Sequence, residues 1–469
     1  MNEQASAKRL DLVRALGPWA AMAIVVGTMI GTGIFLKPSE MASGGGSILV
    51  VFAAWVVGGV LSLFGALAFA ELGAAIPEAG GEYAYLRRGF GPAWGFLFGW
   101  MHSIVGRPAS AASIAAGLLR FWGFLVPAVA TPLHTFQFNF EINHVPQQYS
   151  FVFTWAQPLA VVAIVFITLI NYLGVRLGGQ FQVALTLVKI ASVLAVVIFG
   201  FALAHGDKTN FQPLVPAGIG LGTLSGFLVA LAAGLWAYDG WEDLNLVGSE
   251  VQDPQRNIPR ALLGGVLLVS GIYLLFSAVS FYVLPFGAVA GSAHVGSDVV
   301  EKFAGRSAAQ WMTLAMVISA LGSLNSSLLS GARVPYAMAR DGIFFRVAAS
   351  IHPRFRTPGG ALLFQGVLTS LMVLTGTFEE LTSLFIFAAW IFYGLAVVAM
   401  FRLRRTEPDL PRPYHCWGYP WVPALFVVGA LALTVNLWLE RPIRSSTGLG
   451  LILFGLLFYR RWRKIAPAG

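Results

Sequence analysis

The sequence predicts an all-α polytopic membrane protein of twelve transmembrane helices: a 5+5 inverted repeat with broken helices 1 and 6, plus two extra helices. Three observations predict it. Of the 469 residues, 57% are hydrophobic and only 11% charged, where soluble domains carry about 25% charged residues. Stretches of roughly 20 apolar residues, each enough to cross about 30 Å of hydrocarbon, recur along the whole chain. Two of those stretches, the first and the sixth, are interrupted at matching places.

The segments lie at about 18–43, 47–75, 92–121, 156–174, 179–204, 222–248, 259–284, 309–339, 359–376, 380–402, 421–439 and 446–462, with ends good to a few residues. Segment 1 follows a charged stretch, Lys8 to Arg14, and lacks a small-residue cleavage site after a short apolar core. It therefore reads as a retained helix and not a signal peptide. Inside it runs VVGTMIGTGIF, Val25 to Phe35, with Gly27, Gly31 and Gly33. Segment 3 holds His102 and Arg107-Pro108, where the proline is expected to kink the helix. Segment 5 holds Lys189. Segment 6 breaks at LWAYDGWED, Leu235 to Asp243. Segments 8 and 10 contribute Ser323, Asn325, Ser326 and Tyr393. Between segments 3 and 4, residues 122–155 form an outer loop without Lys, Arg or Cys. Between segments 10 and 11, the proline-rich LRRTEPDLPRPYHCWGYP (403–420) reads as a solvated connector beside anionic headgroups.

The formal charge of +9 describes topology and not nucleic-acid binding. With the N-terminus in the cytoplasm and crossings alternating, cytoplasmic loops and tails collect 21 Lys and Arg. Five remain outside: Lys208, Lys302, Arg306, Arg441 and Arg444. That positive-inside bias puts both termini in the cytoplasm. The single cysteine, Cys416, falls in a cytoplasmic loop, which excludes an internal disulfide and a disulfide-linked partner on the outer loop.

Segments 1 and 6 open two blocks of five crossings. Five is odd, so the second block enters from the opposite side. Interrupted helices at matching positions in such halves point to a transport site at the bilayer midplane. No soluble domain is visible. Residues 1–469 read as one transporter domain: repeat one about 18–204, repeat two about 222–402, helices 11 and 12 about 421–462.

Backbone groups in hydrocarbon must be satisfied, so a gap in a membrane helix survives only where protein or water lines it. Opening segment 1 near Gly31, Thr32 and Gly33 exposes amides at the start of its second half. Those amides and the helix dipole attract an anion. Glycine lets the ligand come close. Opening segment 6 exposes carbonyls near Trp236 and Ala237, which attract an ammonium group. A ligand that fits both is a zwitterion, and the commonest is an α-amino acid. Gly27 and Gly31 are also four apart, as in a helix-packing pair, but packing does not explain the second break.

VGTMIGTGIF, WAYDGW, Arg107-Pro108, Lys189 and the following GSEVQDPQRNIPRA occur together and in order. Over essentially the whole chain, this set resembles the amino acid–polyamine–organocation superfamily, and within it the L-type amino-acid transporters and their bacterial relatives. The resemblance implies that the amides of Thr32 and Gly33 hold a substrate carboxylate. It implies that the carbonyls of Met29, Trp236 and Asp239 hold the ammonium, and that Trp236 closes over the substrate. Heteromeric members link a glycoprotein through a cysteine near the outer end of segment 3. This chain lacks it, which implies a stand-alone transporter that functions as a monomer.

Lys189 lies about ten residues into segment 5, or ~15 Å from the cytoplasmic end, too deep to snorkel. An intramembrane charge is functional by default. The resemblance places its ammonium where sodium-coupled members of the wider fold bind sodium between segments 1 and 8, implying sodium independence. A static strut and a proton-titrating group remain alternatives. Asp239, Glu242 and Asp243 crowd segment 6. Glu242 and Asp243 either titrate as a buried cluster or face a wet cytoplasmic vestibule. Arg107 pairs with a carboxylate or with helix carbonyls. Asn325 and Ser326 read as helix-to-helix hydrogen bonds, and His102 as a satisfied packing residue and not a proton relay.

A membrane enzyme needs clustered catalytic groups or a metal set, and the sequence offers none. It calls for no cofactor. A channel gathers polar pore rings, which two focal breaks are not. The sequence therefore points to secondary active transport of L-amino acids by alternating access, as sodium-independent exchange or proton-coupled uptake. A non-transporting amino-acid sensor and a polyamine or cationic amino-acid antiporter are the rivals.

Overall fold

The computed structural model describes residues 11–142, 145–216, 218, 220–375, 378–440 and 442–465. Lys8, Arg9 and Arg441 of the charge count lie outside them. The helices run in order α1 (Pro18–Met29), α2 (Gly33–Gly45), α3 (Ile48–Ala75), α4 (Glu82–Phe90), α5 (Pro92–Trp100) and α6 (Arg107–Leu125). A hairpin follows, β1 (Pro132–Ile142) and β2 (Val145–Thr154). Then come α7 (Ala156–Tyr172), α8 (Val175–Leu203), α9 (Leu221–Tyr238), α10 (Asp243–Leu246), α11 (Pro254–Val283) and α12 (Phe286–Gly291). The chain ends with α13 (Val295–Gly331), α14 (Arg333–Arg340), α15 (Gly359–Thr375), α16 (Phe378–Thr406), α17 (Trp421–Glu440) and α18 (Pro442–Ile465).

Among the described residues, nine helical stretches are long and apolar enough to cross a membrane. Two more apolar helices, Ala156–Tyr172 and Gly359–Thr375, are shorter. The third apolar segment is divided: a π-helical turn, Met101–Gly106, separates α5 from α6. The distortion expected at Pro108 thus falls before it, in the turn that runs directly into α6.

Packing pairs the segments in a regular way. α2 packs on α9, α3 on α11, α6 on α13 and α7 on α15. α8 lies against α1 and α13, and α16 against α6. Polar groups tie several of these apolar helices together. Asn171 Nδ2 donates to Asn325 Oδ1 (2.9 Å), Asn325 Nδ2 to Gln182 Oε1 (2.8 Å), and Gln182 Nε2 to the Ala23 carbonyl (3.2 Å). Ser326 Oγ accepts from Thr28 Oγ1 at 2.5 Å.

Two expectations are corrected. The chain is not all-α: the outer loop contains an antiparallel hairpin whose register sets Phe136 opposite Phe151. The cause is a period-two alternation of aromatic and polar residues, HTFQFNFEI and QQYSFVF, which suits a strand. The 403–420 connector is not merely solvated. Arg404 donates to both oxygens of Glu71 (2.8 and 2.5 Å), the Cys416 amide donates to Glu71 Oε2 (2.7 Å), and Arg404 stacks 3.8 Å over Tyr419. A buried carboxylate on α3 needs such partners, and the connector supplies them. Burial, helped by the neighbouring Glu71, pushes the Cys416 thiol up to about 12.

Candidate substrate-binding site

The two breaks have different backbones. α1 ends at Met29, Ile30 leaves the helical region, and the Gly31 amide turns back to the Met29 carbonyl at 2.9 Å. α2 then starts at Gly33, so the Thr32 carbonyl receives the Phe35 and Leu36 amides. The first amides of a helix have no intrahelical acceptor, and here they open into the protein interior. The Thr32 hydroxyl is buried without a protein partner. α9 ends at Tyr238, Asp239 is extended, and Gly240 has φ of 102°. A side chain at Gly240 would be strained and would also meet Thr28 Cγ2 at 2.3 Å.

The breaks touch. A Cβ on Gly33 would lie 2.9 Å from the Cα of Ala237 and 3.2 Å from the Trp236 ring. Tyr273 of α11 bridges them from behind, its hydroxyl 2.5 Å from the Met29 carbonyl and 2.7 Å from that of Ala237. The carbonyls expected to be open are therefore engaged, since Trp236 O also receives the Asp239 amide at 3.2 Å. The Trp236 carbonyl keeps a second lone pair, whereas Met29 O already takes the Gly31 amide and the Tyr273 hydroxyl, a hydroxyl with one proton to share between two acceptors.

Met29, Gly31, Thr32, Gly33, Trp236, Ala237 and Asp239 all line one cavity of about 30 Å³, with Thr28, Ser110, Ile114 and Ser323. These are the seven residues that the sequence and the resemblance single out for substrate. The other four stand behind them. Lys189 is fully buried, its ammonium 2.7 Å from the Gly27 carbonyl, 2.6 Å from that of Ile30 and 3.2 Å from Ser323 Oγ. All three ammonium protons thus have acceptors, between α1 and α13. Arg107 pairs with both carboxylate oxygens of Asp243 (Nη1 to Oδ2, 3.1 Å), with Glu242 Oε1 3.9 Å away. Asp243 also accepts from Ser330 at 2.9 Å. Tyr393 donates its hydroxyl toward Glu242 Oε1 (2.6 Å) and Asp239 Oδ1 (3.0 Å). Glu242 and Asp243 are buried, so the wet-vestibule alternative fails: α13 and α16 cover them with Ser330 and Tyr393. His102 Nε2 accepts from Arg107 Nε at 3.3 Å and its buried ring lies 5.3 Å from that of Phe98, a packed histidine with a hydrogen-bond partner.

Gly27 serves packing. A Cβ there would meet Gln182 Nε2 at 2.1 Å. Tyr273 was not legible in the sequence, because a single tyrosine in the apolar run SGIYLLF carries no local signal.

The family profile described as Amino acid permease matches residues 16–459. The chain belongs to the amino acid permease family. The permease is 33% identical over 460 residues to the b(0,+)-type amino acid transporter 1 of Homo sapiens, covering 96% of this chain and 88% of that one. It is 30% identical over 460 residues to the serine/threonine exchanger SteT of Bacillus subtilis (strain 168), covering 97% and 98%. It is 32% identical over 457 residues to the human large neutral amino acids transporter small subunit 2, covering 96% and 80%. These relatives are amino-acid transporters and exchangers. The permease is a multi-span membrane protein of the same kind.

Proposed function

We propose that this permease moves L-amino acids across a bacterial cytoplasmic membrane by alternating access, as a sodium-independent exchanger. One observation carries the reading: two broken helices, one presenting amides and the other carbonyls, face a single buried cavity. The Thr32 and Gly33 amides receive the substrate carboxylate, helped by the dipole of α2. The carbonyls of Met29, Trp236 and Asp239 receive the ammonium, that of Met29 once Tyr273 gives its one proton to Ala237 O instead. Trp236 shifts to admit the substrate and closes over it.

The packing of α2 on α9, α3 on α11, α6 on α13 and α7 on α15 supports the inverted repeat, because equivalent elements meet across a two-fold axis. With the divided third segment and the two shorter helices, the reading is twelve crossings, with both termini cytoplasmic. The three acceptors around the Lys189 ammonium support sodium independence: a fixed cation already occupies them. The cysteine-free outer loop supports function without a disulfide-linked heavy chain, as a monomer.

A second reading, proton-coupled uptake, is favoured by charge balance. Asp239, Glu242 and Asp243 are gathered around one cation, Arg107. A carboxylate cluster of this kind inside a membrane segment offers a place for a coupled proton to ride. Counterflow in liposomes, with labelled neutral and cationic amino acids at two pH values, tests both. Accumulation independent of a proton gradient supports exchange, and accumulation driven by the gradient supports coupling. A protein that accumulates no amino acid refutes transport and leaves the sensor.

A further inference from the structure

Glu82 is a buried acid that the transport reading does not use. It is the first residue of α4 and is 1% exposed. Its Oε2 has no hydrogen-bond partner among the described residues. Two backbone contacts fix its place. The Gly80 amide donates to the Leu246 carbonyl of α10 at 2.9 Å. A Cβ on Gly81 would lie 2.9 Å from the carbonyl carbon of Asn245. The start of α4 is thereby pressed onto α10, directly after the second break. More unmatched polarity surrounds this contact: both side-chain polar atoms of Asn245 and the Tyr85 hydroxyl are buried without partners among the described residues. Unmatched buried polar atoms of this kind call for water or a proton.

The charges that act on Glu82 are Glu242, Arg107 and Asp243, in falling order. Arg107 is held by Asp243. Glu242 is joined through the Tyr393 hydroxyl (2.6 Å) to Asp239 on the wall of the substrate cavity (3.0 Å). The other charges of α4 are engaged on its partly exposed rim, Arg87 by Asp341 and Glu78, and Arg88 by Glu407. Burial and the Glu242 charge outweigh Arg107 and the residue's own amide, and hold the Glu82 carboxyl well above the usual carboxylate range. The next residue, Tyr83, lines a surface pocket of about 370 Å³ with Glu78, Arg87 and Asp341, at the end of the molecule that the charge bias assigns to the cytoplasm. Glu82 thus stands between a wet pocket and the acids of the second break.

We propose that Glu82 is a proton-binding site that links cytoplasmic pH to the substrate cycle: its carboxyl holds a proton while α4 is pressed onto α10, and gives that proton to water in the pocket when the contact opens. This rests on the transport reading and applies to exchange and to uptake alike. The proton leaves a carboxylate that the buried place beside Glu242 does not readmit. A group neutral when closed and ionised when open favours opening as pH rises above the ordinary carboxylate range, by up to about tenfold per pH unit for one proton.

The experiment is counterflow of radiolabelled serine and leucine into liposomes holding the full-length permease, with the same pH on both sides, varied from mildly acidic to mildly alkaline. Wild-type exchange quickens with pH. Glu82→Gln, permanently neutral, stays at the acid wild-type rate throughout, and Glu82→Asp keeps the slope. A packing role slows Glu82→Gln without flattening its profile, and that result overturns the proposal, as does a wild-type rate independent of pH. Where Glu82→Gln fails to fold, the wild-type protein is treated with a hydrophobic carbodiimide, which modifies protonated carboxyls, and its peptides are read by mass spectrometry. Modification of Glu82 that fades as pH rises supports the site, and a Glu82 unmodified at every pH overturns it. Wild-type liposomes that move neither serine nor leucine overturn the transport reading itself, while the labelling still reads the proton, so the two failures are separate.

Discussion

Each break is braced by a buried cation from a neighbouring segment, and the two braces differ in kind. Behind the first break, Lys189 meets neutral dipoles: two carbonyls and a hydroxyl. Behind the second, Arg107 meets charge, the Asp243 carboxylate. The first brace replaces hydrogen-bond donors that an interrupted helix has lost. The second neutralises acids that the interrupted helix has brought in. Removing Lys189 leaves polar carbonyls, which a water molecule can serve. Removing Arg107 leaves a buried carboxylate with no counter-charge.

That contrast can be broken in several places. The largest effect is expected at the contact between the breaks. Gly33→Leu should abolish transport while the protein still reaches the membrane, because even a Cβ would lie 2.9 Å from Ala237. Uptake assays beside a blot of the membrane fraction check this, and residual transport above a tenth of wild type would contradict the close approach. Next comes Arg107→Met, expected to lower stability by about 3–5 kcal/mol, as for one partner removed from a buried pair. Arg107→Met combined with Asp243→Asn should recover part of that loss in detergent thermal unfolding. If the double variant is no better than the single one, Arg107 acts through another group.

Lys189→Ala should slow exchange about tenfold or more and lower stability by about 1.5–4.5 kcal/mol, three hydrogen bonds to neutral acceptors being lost at about 0.5–1.5 kcal/mol net each. Normal rates with normal pH dependence would reduce Lys189 to a strut. Tyr273→Phe leaves two carbonyls without their shared proton and should cost about 1–3 kcal/mol, with a measurable rise in KM for the transported amino acid. The smallest effect concerns Cys416. With its thiol pushed up to about 12, little thiolate exists at pH 7, so maleimide should label it far more slowly in the native protein than after denaturation. Labelling should accelerate as pH rises toward that value. Equal rates in both states would place Cys416 in water.

Much of this arrangement was legible in the sequence. Apolar segments are long-range signals that need no partner to be read, and glycine or aspartate inside one is conspicuous. The seven cavity residues sit on two short stretches for that reason. What escaped reading depends on tertiary contact. Arg107 could be seen to need a partner, but only the crossing of α6 near α10 selects Asp243. Tyr273 looks like any aromatic in an apolar helix until its hydroxyl is placed between two carbonyls. The hairpin's signal is its period of two, which the outer loop's lack of charge does not carry. Glu71, lone in segment 2, gave no hint that a distant connector would fold back onto it.

The amide chain from Asn171 through Asn325 and Gln182 to the Ala23 carbonyl runs one way: Asn171 only gives a proton, and Asn325 and Gln182 each take one from behind and give one forward. Such a chain has a polarity, and turning Asn325 or Gln182 around sets donor against donor and acceptor against acceptor on its two sides. Inside a bilayer no solvent is at hand to repair the mismatch. The four helices it joins, α7, α13, α8 and α1, therefore hold their axial register as one latch. Whatever displacement carries a substrate across this protein either moves that quartet together or springs the latch in a single event.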